Sequence, residues 1–191
     1  MLAFAHHERW PHNGYEKRDH PVQKAILQEV SLWSDVHASK IVQAIDGCGT
    51  VVFGMTLERM ARAYARFAAA AARGDEAPKR VVAAMRAHPF LVGGTDRADS
   101  MLIAATGGVV ISKVGAEGVH CAMLPGRGIG VAVKVEDGAQ RAQLPALLRL
   151  LRELGALPET LPEALNCSLR KPIRNTRGEC VGEVMMRADA G

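Results

Sequence analysis

Apolar residues recur at helical spacing in three segments of the first half of the chain. These segments run from His20 to Asp35, from Thr56 to Gly74 and from Pro78 to Pro89. Pro21 and Pro78 suit the first turn of a helix, and Thr56 can cap one, while glycine and proline end the second and third segments. We therefore expect residues 1–94 to form a helical region that also contains a tight D-G-C-G turn.

After Gly94 the pattern changes to short runs rich in β-branched residues, separated by glycine. The runs at residues 108–114, 118–125 and 128–135 predict three consecutive antiparallel strands. Leucines then recur at helical spacing from Leu144 to Leu154 and predict a helix that covers the sheet. The tail offers one strand-like run, at 180–187. The expected fold class is α+β, with residues 95–191 forming the strands, the covering helix and the tail.

A sheet of three strands with one covering helix leaves an edge without a partner. Such an edge invites pairing with another strand, from the tail of this chain or from another protein. We therefore expect the sheet to be incomplete and the protein to be a homo-oligomer.

Charge and composition exclude two classes of partner. The formal net charge is +4, the basic residues are scattered, and aromatic residues make up only 4% of the chain, so a nucleic-acid role has little support. Apolar stretches fall short of the ~18 residues of a membrane span. The apolar start of the chain is also too short for a signal peptide, so a cytoplasmic location is expected, and four cysteines without regular spacing indicate reduced thiols.

Two short segments carry the main candidate chemistry. In "ISKVGAEG", Lys113 lies in a K-x-G strand, the context in which serine acyl-transfer enzymes of the penicillin-recognising type present a cation. In "AIDGCG", Asp46 and Cys48 flank Gly47 in a turn where a ligand could approach closely. The plainer alternatives are an exposed lysine at a strand end and a cysteine that acts as a small buried hydrophobe.

The segment "GGTDRADS" holds a further charged group, with Arg97 between Asp96 and Asp99. A solvated loop explains these residues, and the functional alternative is that Arg97 binds a carboxylate, because its planar fork matches one. Ser100 and Ser112 are possible nucleophiles, but neither lies in G-x-S-x-G or S-x-x-K. The histidines at 6, 7, 12 and 20 have no metal-binding spacing and are expected at the surface or at helix caps.

Several of these segments, taken in order, resemble the asparaginase II family of the Rhizobium etli type. The resemblance covers nearly the whole chain and rests on the following blocks: "DHPVQ" (19–23), "DGCG" with "VFGM" (46–55), "LERMARAYARFA" (57–68), "AMRAHP" with "LVGGTDRADS" (84–100), "SKVGAEGVHC" (112–121), "LPGRGIGVAVKVEDGA" (124–139) and "VGEV" (181–184).

The resemblance implies a fold similar to serine β-lactamases and glutaminases, and hydrolysis of L-asparagine to L-aspartate and ammonia through serine–lysine pairs. It places Lys113 on the K-x-G lysine, a general base or electrostatic partner of the nucleophile. It places Asp46 on a substrate-binding aspartate and Cys48 on a zinc-binding cysteine. Arg97 would lie at the presumed substrate pocket and bind substrate there.

The chain also departs from the family pattern. The R-S-x-x-K, S-H-S-G-E and N-C-S-G-K-H segments, which supply the nucleophilic serine, a second active-site serine and the other zinc ligands, do not occur in it. The family pattern continues from the last of these as K-H-A-G-M-L, and this chain starts Met1-Leu2-Ala3. Val51 replaces a usual proline, and Asp96 replaces a usual glycine.

Because the three motifs are missing, we expect a chain truncated before its nucleophile and inactive alone, with one zinc ligand retained. The alternative is a catalytically inactive remnant that acts as a ligand-binding or protein-interaction module.

Overall fold

The computed structural model describes residues 1–187. Within these residues the chain forms eight α-helices and three small antiparallel sheets, none of them closed, so the predicted mixture of helices and antiparallel strands is confirmed. The chain divides into two compact units, Met1–Ala63 and the residues from Tyr64 onward. The domain boundary predicted at residue 94 stays a prediction.

The first unit contains two helices, α1 (Leu2–His7) and α2 (Pro21–Ser34). The predicted start of α2 is confirmed, because Pro21 is its first residue and Nδ1 of His20 accepts a hydrogen bond from the Val22 N–H at 3.1 Å. This cap satisfies one of the N–H groups that a helix start leaves free. A short 3₁₀ turn, Ala38–Lys40, follows.

The first unit also contains a hairpin that the sequence pattern did not predict. Strand β1 (Val42–Ile45) pairs with β2 (Val51–Gly54) in antiparallel register, with Ile45 opposite Val51. The five residues between the strands form the D-G-C-G turn, in which Gly49 has φ +82°, a conformation that favours glycine. The predicted D-G-C-G turn therefore joins two short strands that the helical interpretation of residues 1–94 did not include.

Helices α3 (Leu57–Arg73), α4 (Glu76–Ala87), α5 (Pro89–Gly93) and α6 (Ala98–Ala105) follow. The boundary between the two units falls within α3. The predicted limits of α3 are confirmed, and Thr56 Oγ1 accepts the Arg59 N–H at 3.3 Å. Pro78 does not open α4, which begins two residues earlier. Proline is tolerated there because N–H groups of the first turn have no helical partner.

The central sheet of the second unit contains β3 (Ile111–Val114), β4 (Val119–Leu124) and β5 (Ile129–Lys134), in that order and all antiparallel. The three predicted strands are confirmed, each shorter than its apolar run, and the β4–β5 connection contains a 3₁₀ turn at Pro125–Arg127.

Each face of this sheet packs on its own set of helices. One face, which carries Ala122, Val131 and Val133, buries the leucines of α7 (Gln143–Glu153). On the other face, Ile111 and Met123 pack with residues of α3 and α4 such as Ala68 and Val82. The covering helix that the leucine spacing predicted is therefore confirmed, and the second face is covered as well.

The tail forms helix α8 (Glu163–Asn166) and a hairpin of β6 (Arg170–Arg174) with β7 (Cys180–Met185). Only β7 was expected, because the "RKPIR" run of β6 is charged and contains a proline. The tail strands pair with each other and do not extend the central sheet. No helix within residues 1–187 is both long enough and apolar enough to span a membrane.

Candidate functional site

The second unit buries a carboxylate at the free edge of its central sheet. Asp99, in the first turn of α6, is 1% exposed. The Gly115 N–H bonds to Val119 O across the β3–β4 ladder, so the N–H of Val114 points away from β4. Oδ2 of Asp99 accepts that N–H at 2.9 Å. Asp99 therefore binds β3 on the side where no strand within residues 1–187 pairs with it.

Two buried side chains share the other oxygen of this carboxylate. Oδ1 of Asp99 accepts a hydrogen bond from Ser112 Oγ at 2.8 Å and lies 2.9 Å from Nε2 of His120. Burial alone would raise the pKa of Asp99, but the hydrogen bonds from His120, the Val114 N–H and Ser112 outweigh it and leave the pKa below its ordinary value. The carboxylate is therefore ionised at neutral pH, and Nε2 of His120 carries the proton between them.

Lys113 lies beside this group, as the residue between Ser112 and Val114. Its Nζ is 3.8 Å from Oδ2 of Asp99 and donates a hydrogen bond to Val114 O at 2.9 Å. The side chain is about half exposed, at 48%. The predicted lysine is thus a solvent-accessible cation at a strand end, next to a buried anion.

The structure brings Asp46 and Cys48 together in the β1–β2 turn of the first unit. Sγ of Cys48 lies 3.6 Å from Oδ2 of Asp46, whose Oδ1 accepts the Gly47 N–H at 2.7 Å. Both residues are exposed, so Cys48 is not the buried hydrophobe of the plainer alternative. A Cβ at Gly47 would meet nothing within 4 Å, which leaves the turn open to an approaching group.

These two side chains do not amount to a zinc site by themselves. A structural zinc ion takes about four ligands, and a catalytic one takes about three from the protein. Within residues 1–187 no group of three His, Cys, Asp or Glu side chains could hold a metal ion. One thiol and one carboxylate therefore leave most of a coordination sphere to be supplied by other donors.

Arg97 lies next to a cavity of about 460 Å³ in the second unit. His120 lines the same cavity, together with residues of α7, of the segment before it and of the tail. Asp96 also lines it and adopts φ +53°, a left-handed conformation that aspartate tolerates better than most residues and glycine best. This explains why glycine suits that position. Lys113 does not line the cavity.

Sequence reasoning missed the role of Asp99, which the loop interpretation of "GGTDRADS" placed in solvent. The structure corrects this expectation, because Asp99 lies in a helix and its carboxylate is buried. A signal was present in the strands: Ser112 and His120 are polar residues in runs that are otherwise apolar, which indicates a buried polar partner. Ser112, one of the candidate nucleophiles, is fully buried and its hydroxyl is bound to Asp99.

One S-x-x-K spacing was also missed, at Ser168-Leu169-Arg170-Lys171. Ser168 and Lys171 both line the cavity that contains Arg97. The hydroxyl of Ser168 donates to Ala164 O at 2.9 Å, and Lys171 lies on β6, so the pair is not presented on one helix. Ser100, the other candidate, is half-buried, with an Oγ that has no hydrogen-bond partner among the described residues.

Comparison with protein families gives a match over nearly the whole chain. The family model described as L-asparaginase II matches residues 1–186. The chain belongs to the asparaginase II family. No curated protein matches it.

Membership of the asparaginase II family confirms the resemblance that the sequence blocks indicated. The match spans both compact units, including the β1–β2 turn, Arg97 and the strand that carries Lys113. The roles expected for Lys113, Asp46, Arg97 and Cys48 stay predictions, and they enter the proposal that follows.

Proposed function

We propose that the chain supplies part of an L-asparaginase-type amidohydrolase, which hydrolyses L-asparagine to L-aspartate and ammonia, and that its fold is similar to the serine β-lactamases and glutaminases. The match to the asparaginase II family over residues 1–186 carries this proposal. The antiparallel sheet with helices on both faces, and a K-x-G lysine at the end of one of its strands, support it.

The reaction that fits this family is acyl transfer from an amide. A serine hydroxyl adds to the side-chain carbonyl carbon of asparagine, the C–N bond breaks, and ammonia leaves with the proton taken from the hydroxyl. Water then hydrolyses the aspartyl ester and regenerates the serine. Oδ2 of Asp99 lies 3.8 Å from Nζ of Lys113, within ion-pair distance. Lys113 would take the role that the family resemblance implies for it, as a general base or an electrostatic partner of the nucleophile.

The other predicted residues take recognition roles in this proposal. Asp46 is exposed in an open turn and would bind the ammonium group of the substrate, while Arg97 would bind a carboxylate. Cys48 is one potential zinc ligand, and a zinc ion there would require further donors. The nucleophilic serine would come from an R-S-x-x-K segment, which the 191 residues do not contain. A homo-oligomer and a cytoplasmic location stay predictions.

The second candidate function is a catalytically inactive module that binds a small molecule or a protein. The absence of the R-S-x-x-K, S-H-S-G-E and N-C-S-G-K-H segments from the sequence favours it. Lys113 lies beside the Asp99 carboxylate, both oxygens of which accept hydrogen bonds. Its retention favours the enzymatic proposal, since a module that only binds a ligand does not need an exposed lysine fixed beside a buried carboxylate.

Ammonia release from L-asparagine distinguishes the two candidates. The purified chain is compared with a fusion in which family segments carrying the three missing motifs precede it. Lys113→Ala is tested in both, and Lys134→Ala is the matched control, because Lys134 ends β5 and donates to the carbonyl of the next residue just as Lys113 does. Turnover by the fusion that depends on Lys113 supports the enzyme. A folded fusion without turnover supports the inactive module.

A further inference from the structure

The loop between α1 and α2 contains the dipeptide Asn13-Gly14, in which an asparagine precedes a residue without a side chain. Asn13 is exposed, and its side-chain amide makes no hydrogen bond to any residue within 1–187. The Gly14 N–H also bonds to none of the described residues, although Gly14 O accepts the Lys17 N–H at 2.9 Å. An unpaired side-chain amide therefore precedes an unpaired backbone nitrogen.

The loop depends on glycine at position 14. Gly14 has φ +73°, a conformation that favours glycine. A Cβ at this position would lie 3.3 Å from Cδ of Lys17, so any other residue would be both strained and crowded. Because glycine has no Cβ, its own side of the peptide offers no steric obstacle between the backbone nitrogen and the side chain of Asn13.

The chain has two other asparagines, and the fold holds the reacting groups of both. Asn166 ends α8, and the N–H of the next residue, Cys167, donates to Glu163 O at 2.8 Å. Oδ1 of Asn175 accepts two backbone N–H groups at 2.9 and 3.0 Å, and its Nδ2 donates to Oε2 of Glu179 at 2.6 Å. At Asn166 the following nitrogen is bonded, and at Asn175 the side-chain amide is bonded. Asn13 has neither restraint.

We propose that Asn13 is a site of intramolecular deamidation. The backbone nitrogen of Gly14 attacks Cγ of Asn13, the new N–Cγ bond forms, the Cγ–Nδ2 bond breaks, and ammonia leaves with the proton of the Gly14 amide. Water then opens the five-membered succinimide at either of its carbonyl groups and gives aspartate or isoaspartate. The net reaction consumes one water and releases one ammonia per chain, and it needs no other reactant.

The isoaspartate product lengthens the backbone between two anchored carbonyl groups. Pro11 O lies 2.8 Å from Nε2 of His20, and Tyr15 O accepts a hydrogen bond from Nε2 of Gln23 at 2.8 Å. His20 and Gln23 are buried at the start of α2. In isoaspartate the chain runs through the side-chain carbonyl, which adds one carbon to the backbone between Pro11 and Tyr15. Deamidation therefore weakens the attachment of this loop to α2.

This inference is independent of the proposed function. It concerns only residues of this chain, and it requires no nucleophilic serine. Deamidation releases at most one ammonia per chain, so it is distinguished from hydrolysis of L-asparagine, which would release ammonia repeatedly. Failure of either proposal leaves the other unaffected.

The test is peptide mapping by mass spectrometry after incubation of the purified chain at pH 8 and 37 °C. The peptide that contains Asn13 should show the mass change of an amide converted to a carboxyl group. This change should be about tenfold or more faster than in the peptides of Asn166 and Asn175, since only Asn13 precedes a glycine. Methyl transfer by an isoaspartyl methyltransferase identifies the isoaspartate form.

Variants assign the site. Asn13→Gln should abolish the mass change in this peptide, because attack on the longer side chain would have to close a six-membered ring. Gly14→Ala should slow the change about tenfold or more. Circular dichroism checks the fold of both variants, and Asn13→Gln decides the outcome if the strained Gly14→Ala chain does not fold. Asn175→Gln is the matched control and should leave the change at Asn13 as fast as in the wild type.

Thermal unfolding measures the structural consequence. The isoaspartate form, purified by chromatography, is compared with Asn13→Asp, which carries the same charge without the additional backbone carbon. Its melting temperature should be about 2–4 °C lower, the shift that corresponds to the loss of one hydrogen bond in a chain of this size.

Three results would overturn the proposal. The first is an Asn13 peptide that keeps its mass throughout the incubation, and the second is a change at Asn166 or Asn175 that is as fast as at Asn13. The third is a mass change in the same peptide that persists in Asn13→Gln. Equal melting temperatures of the isoaspartate form and Asn13→Asp would contradict the expected weakening of the loop.

Discussion

Nε2 of His120 lies 2.9 Å from Oδ1 of Asp99, and both residues are 1% exposed. The two residues come from different elements, β4 and α6, and are 21 positions apart in the sequence. With Ser112 and the Val114 N–H, they form a polar group in which every oxygen of the carboxylate is bonded. This group fixes the start of α6 against β3 and so positions Lys113.

Asp99→Asn should destabilise the protein by about 2–4 kcal/mol at pH 7. The substitution replaces one of the two acceptor oxygens by an NH2 group, which cannot accept, so at least one of the buried donors Ser112, His120 and the Val114 N–H is left unpaired. The pKa of Asp99 is lower in the folded protein than in the unfolded chain, so its stabilising effect is present above the unfolded pKa of ~3.9 and is lost as pH falls through the folded value.

Urea denaturation at pH 7 and pH 3 checks this. The difference between wild type and Asp99→Asn should be largest at pH 7 and smaller at pH 3. Asp137→Asn is the control, because the pKa of that exposed carboxyl is also lowered but its partners are at the surface, and its unfolding midpoint should hardly move. A difference for Asp99→Asn that stays the same from pH 7 to pH 3 would contradict the ionised, bonded carboxylate.

Three of the four cysteines should react quickly with Ellman's reagent at pH 8. Cys48, Cys167 and Cys180 are exposed, whereas Cys121 is buried, and burial raises its pKa to about 11 despite a hydrogen bond with Tyr64 that lowers it. The thiol of Cys121 is therefore both inaccessible and protonated. In guanidinium, the thiol of Cys121 should become accessible and react as the fourth equivalent. In Cys48→Ser, only two thiols should react quickly. Four fast thiols in the native protein would be inconsistent with the packing of β4 on α3.

Gly118→Ala should cost about 1–3 kcal/mol of unfolding free energy. Gly118 has φ +72°, and a Cβ there would lie 2.8 Å from Val135 Cβ and 3.1 Å from the backbone carbon of Gly138. Gly126→Ala is the matched control, because its φ is ordinary and a Cβ would meet nothing within 4 Å. Thermal unfolding of both variants measures the effect, and equal melting temperatures would disagree with the described turn between β3 and β4.

The isolated chain should bind zinc weakly and without defined stoichiometry. The described residues offer only the Cys48 thiol and the Asp46 carboxylate at the β1–β2 turn, and two donors make a poor site. Metal analysis after dialysis, with Cys48→Ser for comparison, measures this. One zinc per chain that disappears in Cys48→Ser would show that further ligands complete the site.

The pattern of apolar residues predicted the helices and strands that bury one apolar face and have clear ends. These are α2, α3, α7 and the three central strands. Strand β6 could not, since "RKPIR" is exposed along its whole length, and proline is accepted there in a two-stranded hairpin. Strands β1 and β2 have only four residues each and lie between segments of helical spacing, whereas the equally short β3 lies in a longer β-branched run bounded by glycines.

The candidate site was predictable only in part, for a related reason. Lys113, Asp46 and Cys48 stand in short motifs that can be recognised along the chain. Asp99 contacts Ser112 and His120, which lie 13 and 21 residues away in the sequence. The composition of its own segment predicted a loop. Its burial depends on tertiary partners, and no local pattern contains that information.

Ammonia release from L-asparagine by the fusion that supplies the three missing motifs is the most direct measurement of the proposed function. We expect turnover that falls about 10²–10⁴-fold in Lys113→Ala, the usual contribution of one catalytic group, and that changes little in Lys134→Ala. The 191-residue chain alone should release no ammonia. Turnover that is equal with and without the Lys113 side chain, or turnover by the isolated chain, would contradict the proposal.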